Sequence, residues 1–191
     1  YNMGENKLFT LIVYSENIAG LLNQVTMIFT RRHINIESLN VAASSTPGVH
    51  KYTITCWSTA DMMEKTTRQL EKRIDIIQAN YFIDDQIFIQ ETALFKLSTP
   101  VVLAQPQISD VIRKPGATIV EVNPVYTVVS KNGLTSEIFS LRDKLKTFEC
   151  ILQYSRSGRI VITKGCIERL NEYLQTRRED YESHKKKARE E

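Results

Sequence analysis

A chain of 191 residues, 42% hydrophobic and 25% charged, falls within the range of soluble globular proteins and has room for one large domain or two small ones. Its formal charge of +3 comes from 25 basic and 22 acidic residues mixed along the chain, which makes no electrostatic case for a nucleic-acid partner. The longest apolar runs, such as Leu11–Val13 and Ile160–Ile162, fall far short of the roughly 20 residues that cross a bilayer, and no charged-then-apolar leader opens the sequence, so no membrane partner and a cytoplasmic location are expected.

Leu8–Tyr14 is apolar and β-branched, with Phe9, Leu11 and Val13 at period two, and is predicted as a strand. Leu21, Leu22, Val25, Ile28 and Phe29 recur at helical spacing, so Gly20–Arg32 is predicted as a helix that lays one apolar face on a sheet. Two strands, Ile34–Ala43 and Val49–Trp57, flank the turn-forming cluster Ser44-Ser45-Thr46-Pro47-Gly48, which suits an antiparallel hairpin. A second helix is predicted from Asp61 to about Lys72, with Met63, Thr67, Leu70 and Ile74 on one face and Ser58 as a capping signal. Ile76–Ile83 closes the unit as a fourth strand. The order βαββαβ is the ferredoxin-like arrangement, an antiparallel sheet with both helices on one face. The opposite face and the edges of such a sheet need cover, so a dimer is expected.

The pattern recurs. Thr92–Leu97 is predicted as a strand, Val101–Arg113 as a helix, Thr118–Val122 and Tyr126–Val129 as strands, Leu134–Lys144 as a helix and Phe148–Tyr154 as a last strand. The polar run Asp84-Asp85-Gln86 marks the joint, and the fold class is α+β with two ferredoxin-like units, 1–83 and 84–165. Residues 166–191 are dense in Glu, Arg and Lys and read as a charged helical or disordered tail. Cys56, Cys150 and Cys166 lie far apart, so they are expected to be reduced packing residues rather than a disulfide framework. His33, His50 and His184 have no metal-ligand spacing, and no nucleophile elbow or phosphate-binding glycine loop is present, so neither a metal nor a catalytic residue is expected.

Two stretches carry more information. Glu16-Asn17-Ile18-Ala19-Gly20-Leu21-Leu22 lies between the first strand and the first helix. A helix N-terminus exposes free amides and the positive end of its dipole, and a glycine lets a carboxylate approach them; the same residues also make an ordinary helix-starting turn. Arg31-Arg32-His33-Ile34-Asn35-Ile36-Glu37-Ser38-Leu39 joins the first helix to the second strand. Together these stretches resemble the ACT domain, in particular that of the acetohydroxyacid synthase small subunits. Glu121-Val122, Tyr126-Thr127-Val128 and Arg156-Ser157-Gly158 match the carboxy-terminal domain of the same family, so the resemblance covers roughly residues 8–165.

The resemblance implies a non-catalytic subunit that activates a separate catalytic large subunit and confers feedback inhibition by a branched-chain amino acid, commonly valine, bound where two ACT domains pair edge to edge. It implies that Asn17, Ile18, Ala19, Gly20 and Leu21 wrap the effector and that Asn35 and Ile36 are contributed from across the dimer. Thiamine diphosphate, magnesium and flavin belong to the large subunit in this family, so no cofactor is expected here. Where family members often carry glycine at the end of the first helix, this chain has His33; a histidine can still adopt the left-handed cap there, at a cost of roughly 1 kcal/mol. The alternative is a free-standing ACT-domain amino-acid sensor acting on another enzyme or regulator, for which no helix-turn-helix output element is visible.

Overall fold

In the computed structural model, which describes residues 5–165 together with 174 and 175, strand β1 spans Lys7–Glu16. Phe9, Leu11 and Val13 are at most 3% exposed, and Cys56, opposite Phe9 on β3 (Val49–Ser58), brings its Sγ to 3.7 Å from Met63 Sδ on helix α2 (Ala60–Glu71). This is the face on which the helices pack, and each such fully buried side chain contributes about 1.5–3 kcal/mol. Helix α1 spans Leu21–Arg31 and buries Leu21, Val25, Ile28 and Phe29; Leu22, predicted on that face, is 42% exposed. α1 ends in a Schellman turn, with the His33 amide donating to Thr30 O at 3.0 Å and the Ile34 amide to Phe29 O at 3.0 Å. The left-handed position of that turn is His33, at φ 54°.

Strand β2 (Ile36–Ala43) returns along β3, and β4 (Ile76–Phe82) lies on the far side of β1, giving the order β2-β3-β1-β4. Two details of α2 differ from the sequence reading. Its cap is Thr59, whose Oγ1 accepts the Met62 amide at 3.3 Å, rather than Ser58. Ile74 lies beyond the end of the helix and is 87% exposed, because the chain turns after Glu71, with the Arg73 amide on Leu70 O.

Asp84–Gln86 form a single 3-10 turn, and residues 5–165 divide into two compact units, one of 5–37, 41–87 and 163–165 and one of 38–40 and 88–162. The second unit repeats the topology as β5 (Ile87–Ser98), α3 (Thr99–Ala104), α4 (Gln107–Arg113), β6 (Thr118–Val122), β7 (Tyr126–Gly133), α5 (Thr135–Lys146) and β8 (Ile151–Thr163), with sheet order β6-β7-β5-β8. The expected fold class, two ferredoxin-like βαββαβ units, is therefore observed. The single helix predicted over Val101–Arg113 is two. Pro106 has no amide to donate and pushes Gln105 out of the helical region, to φ −128° and ψ 88°. Phe95, Leu97 and Val129 of the sheet meet Ile108, Ile112, Ile138, Leu141 and Leu145 of the helices in one core.

The two central strands differ in burial. β5 alternates, with Ala93, Phe95 and Leu97 buried and Leu94 47% exposed. β1 is buried on both faces, with Thr10, Ile12 and Tyr14 at 0%, 5% and 5% exposure. The bare second face expected of the first sheet is not found at its central strand, so the burial argument for a dimer rests on the sheet's edge strands. The expectations for Cys166, His184 and most of the 166–191 segment lie outside the described residues.

Candidate functional site

The loop between β1 and α1 is open. Asn17, Ile18, Ala19 and Gly20 are all exposed, whereas Leu21 turns into the core at 1% exposure and offers the surface only its backbone. Gly20 is the N-cap of α1 at φ 84°, a left-handed conformation in which a Cβ would be strained, and no atom lies within 4 Å of where that Cβ would sit. The Leu21 amide reaches Ile18 O at 3.3 Å and the Gln24 amide reaches Gly20 O at 3.3 Å, but no side chain caps the helix. Among the described residues nothing accepts the amides of Leu22 and Asn23. Two free N–H groups at a helix start, beside an exposed asparagine and a glycine, can receive a carboxylate.

Two bonds hold the entry to this loop from either side: the Glu16 amide donates to Asp75 O at 3.0 Å and the Asn17 amide to Gly48 O at 3.0 Å. Sequence reasoning missed both acceptors, because a backbone carbonyl leaves no trace in residue type.

Asn35, exposed, and Ile36, half-buried, are not brought to the loop. Glu16 at the end of β1 pairs with Val49 at the start of β3, and the Ser44 amide, just past the end of β2, donates to Val49 O at 2.8 Å. The start of β2, where Asn35 and Ile36 stand, is consequently at the other end of the sheet. The length of α1 separates the two groups, about 16 Å at 1.5 Å per residue. One chain cannot close both groups around a single amino acid.

The matched residues of the second unit do structural work. The Arg156 guanidinium pairs with the buried Glu91 carboxylate at 3.2 Å, the Thr135 hydroxyl donates to the same carboxylate at 2.9 Å, and Arg159 Nε donates to Thr135 Oγ1 at 3.3 Å. Ser157 Oγ accepts the Thr92 amide at 3.1 Å, and Gly158 takes φ 78° within β8. A cleft of about 300 Å³ beside α5 is lined by Lys131, Ser136, Glu137, Ser140 and Lys144 among others; Lys131 Nζ is already held by Pro115 O at 2.7 Å and by Glu137 at 3.4 Å. Burial, with a smaller push from Glu37, raises the Cys56 thiol to about 11, and burial also raises Cys150, so neither is a thiolate at neutral pH. Among the described residues no group of three His, Cys, Asp or Glu side chains could hold a metal ion.

Residues 11–78 match the family described as the AHAS small subunit-like ACT domain, and residues 90–165 match the small subunit of acetolactate synthase. The acetolactate synthase small subunit of Bacillus subtilis is 32% identical over 83% of this chain and 91% of its own length. That of Haemophilus influenzae is 28% identical over 81% of this chain and 94% of its own. The crystal structure of the Thermotoga maritima acetolactate synthase small subunit shares the fold, with a TM-score of 0.75 at 18% identity, covering 84% of this chain and 99% of that one. Matched by models over residues 11–78 and 90–165 and, at 32% identity over 83% of its length, by the Bacillus subtilis relative, the chain belongs to the acetolactate synthase small-subunit family.

Proposed function

We propose that this chain is the regulatory subunit of acetohydroxyacid (acetolactate) synthase, acting in branched-chain amino-acid biosynthesis in the cytoplasm. It docks on the catalytic large subunit, raises its activity and confers feedback inhibition by a branched-chain amino acid, valine first among the candidates. In this reading residues 1–83 are the ACT domain, 84–165 the carboxy-terminal regulatory domain and 166–191 a tail dispensable for effector binding. The observation that carries it is the exposed Asn17–Gly20 loop with the unpaired Leu22 and Asn23 amides behind it. These amides take the effector's carboxylate, and Asn17 holds its polar head. Asn35 and Ile36, at the other end of the sheet, complete the same pocket on a second copy, so the site belongs to a homodimer of ACT domains. A match across both units favours a subunit over a free-standing sensor.

The test is an activity titration of the catalytic subunit with wild-type, Gly20→Asp and Gly20→Asn chains, each with and without valine, leucine and isoleucine. Coupling between such sites is typically about 1–3 kcal/mol, so the wild-type complex responds several-fold or more to saturating effector. Gly20→Asp sets a carboxylate against the incoming one and should abolish the response while leaving activation intact. Gly20→Asn carries the same left-handed backbone without the charge and should keep a measurable response. Full inhibition of the Gly20→Asp complex would refute the assignment of the site.

A further inference from the structure

The turn between β2 and β3 accepts a hydrogen bond from the candidate loop at the Gly48 carbonyl. We propose that this turn, through the Gly48 carbonyl, sets the direction in which the loop leaves β1 and thereby the affinity for the effector, so that Gly48 is a positioning residue. The proposal rests on the reading of Asn17–Gly20 as the effector loop.

β1 and β3 pair out to Glu16 and Val49, and the bond from the Asn17 amide to Gly48 O carries the pairing one step beyond the strands into the loop. Among the described residues the loop after Asn17 makes only short-range backbone bonds, from the Ile18 amide to Glu16 O at 3.1 Å, from the Leu21 amide to Ile18 O and from the Gln24 amide to Gly20 O. The turn is itself braced. Ser44 Oγ donates to Thr46 O and accepts the Thr46 amide, both at 3.1 Å, and the Val49 amide donates to Thr46 O at 3.2 Å. What aims the carbonyl at Asn17 is Gly48 at φ 78°. No atom lies within 4 Å of a Cβ built there, so a substitution acts through the backbone torsion and not through a clash. Asparagine visits the left-handed region readily, alanine less so, and a β-branched residue least.

The experiment titrates valine against complexes of the catalytic subunit with wild-type chain, Gly48→Asn, Gly48→Ala, Gly48→Val and Gly20→Asp, with amide exchange at Asn17 followed in the chains. Gly48→Val should raise the valine concentration for half-inhibition about fivefold or more, the scale of the left-handed penalty. Gly48→Ala should fall between, and Gly48→Asn should stay near wild type. Activation without valine should be unchanged across the Gly48 series, and Asn17 exchange should speed up in the same order. Half-inhibition unmoved by Gly48→Val, or moved equally by Gly48→Asn, overturns the proposal, as does a loss of activation that tracks the loss of inhibition. Should Gly48→Val fail to fold, Gly48→Ala against Gly48→Asn decides by the same ranking. If Gly20→Asp is inhibited like wild type, the effector-loop reading falls and this proposal with it; if only the Gly48 series is silent, this proposal alone falls.

Discussion

The two units share one strand order, but they treat the junction after the first strand in opposite ways. In the first unit four exposed residues, Asn17–Gly20, separate β1 from α1, and the helix starts uncapped. In the second, Ser98 is followed at once by Thr99-Pro100 and the helix α3. There the Ser98 amide donates to Cys150 O at 2.8 Å, the Thr99 amide donates to Val125 O at 3.2 Å, and the Thr99 and Thr127 hydroxyls meet at 2.8 Å in a buried pair. Neither helix has a side-chain cap; the first junction leaves the Leu22 and Asn23 amides at the surface, whereas in the second the Ser98 and Thr99 amides are taken by backbone carbonyls and the next residue, Pro100, has no amide to offer. A shared topology thus leaves the binding chemistry to a handful of loop residues.

Among the described residues each unit also buries one thiol, Cys56 in the first and Cys150 in the second, and these give the largest effect with which to probe the comparison. With Cys56 raised from 9.0 to about 11, its thiolate at pH 8 is on the order of a hundredfold rarer than in the unfolded chain. Site-resolved alkylation at pH 8 should leave Cys56 and Cys150 unmodified in the native protein and modify both in denaturant. Because the folded value lies above the unfolded one, the stabilisation from keeping Cys56 protonated is complete below pH 9 and is lost as pH rises from 9 to 11. Ready labelling of either thiol in the native chain would mean that its unit opens far more often than its packing implies.

Next in size, Thr99→Val strands the Thr127 hydroxyl in a buried site and should cost about 1–3 kcal/mol in a denaturant melt. The response to effector should not change, since Thr99 lies outside the Asn17–Gly20 loop; a weakened response would break the contrast between the two units. The smallest effect is expected at His33. Its left-handed backbone suits glycine, so His33→Gly should stabilise the first unit by up to about 1 kcal/mol in the same melt. A destabilised variant would indicate that the imidazole contributes more than its backbone strain costs.

Elements with a clean apolar rhythm were legible in the sequence: β1 with Phe9, Leu11 and Val13, α1 with Val25, Ile28 and Phe29, and the turn at Ser44–Gly48 between β2 and β3. The far halves of β7 and β8 were not, because Ser130, Lys131 and Asn132 in one and Ser155–Arg159 in the other are polar. Lys131 and Arg159 are buried there all the same, each held by hydrogen bonds that a hydrophobicity pattern does not register. The break at Pro106 was written in the sequence but masked by the apolar residues on either side. Asn17 and Gly20 stood out through family resemblance rather than through periodicity, whereas the supports at Gly48 and Asp75 act through backbone oxygens.

A ligand that needs both Asn17 and Asn35 cannot be held by a lone chain, because about 16 Å of helix stands between them. Its apparent dissociation constant would then contain the chain's own concentration. Dilution would loosen the ligand, and the ligand in turn would draw chains together by mass action. Two such chains related by a two-fold axis would form the pocket twice, so occupancy would come in pairs.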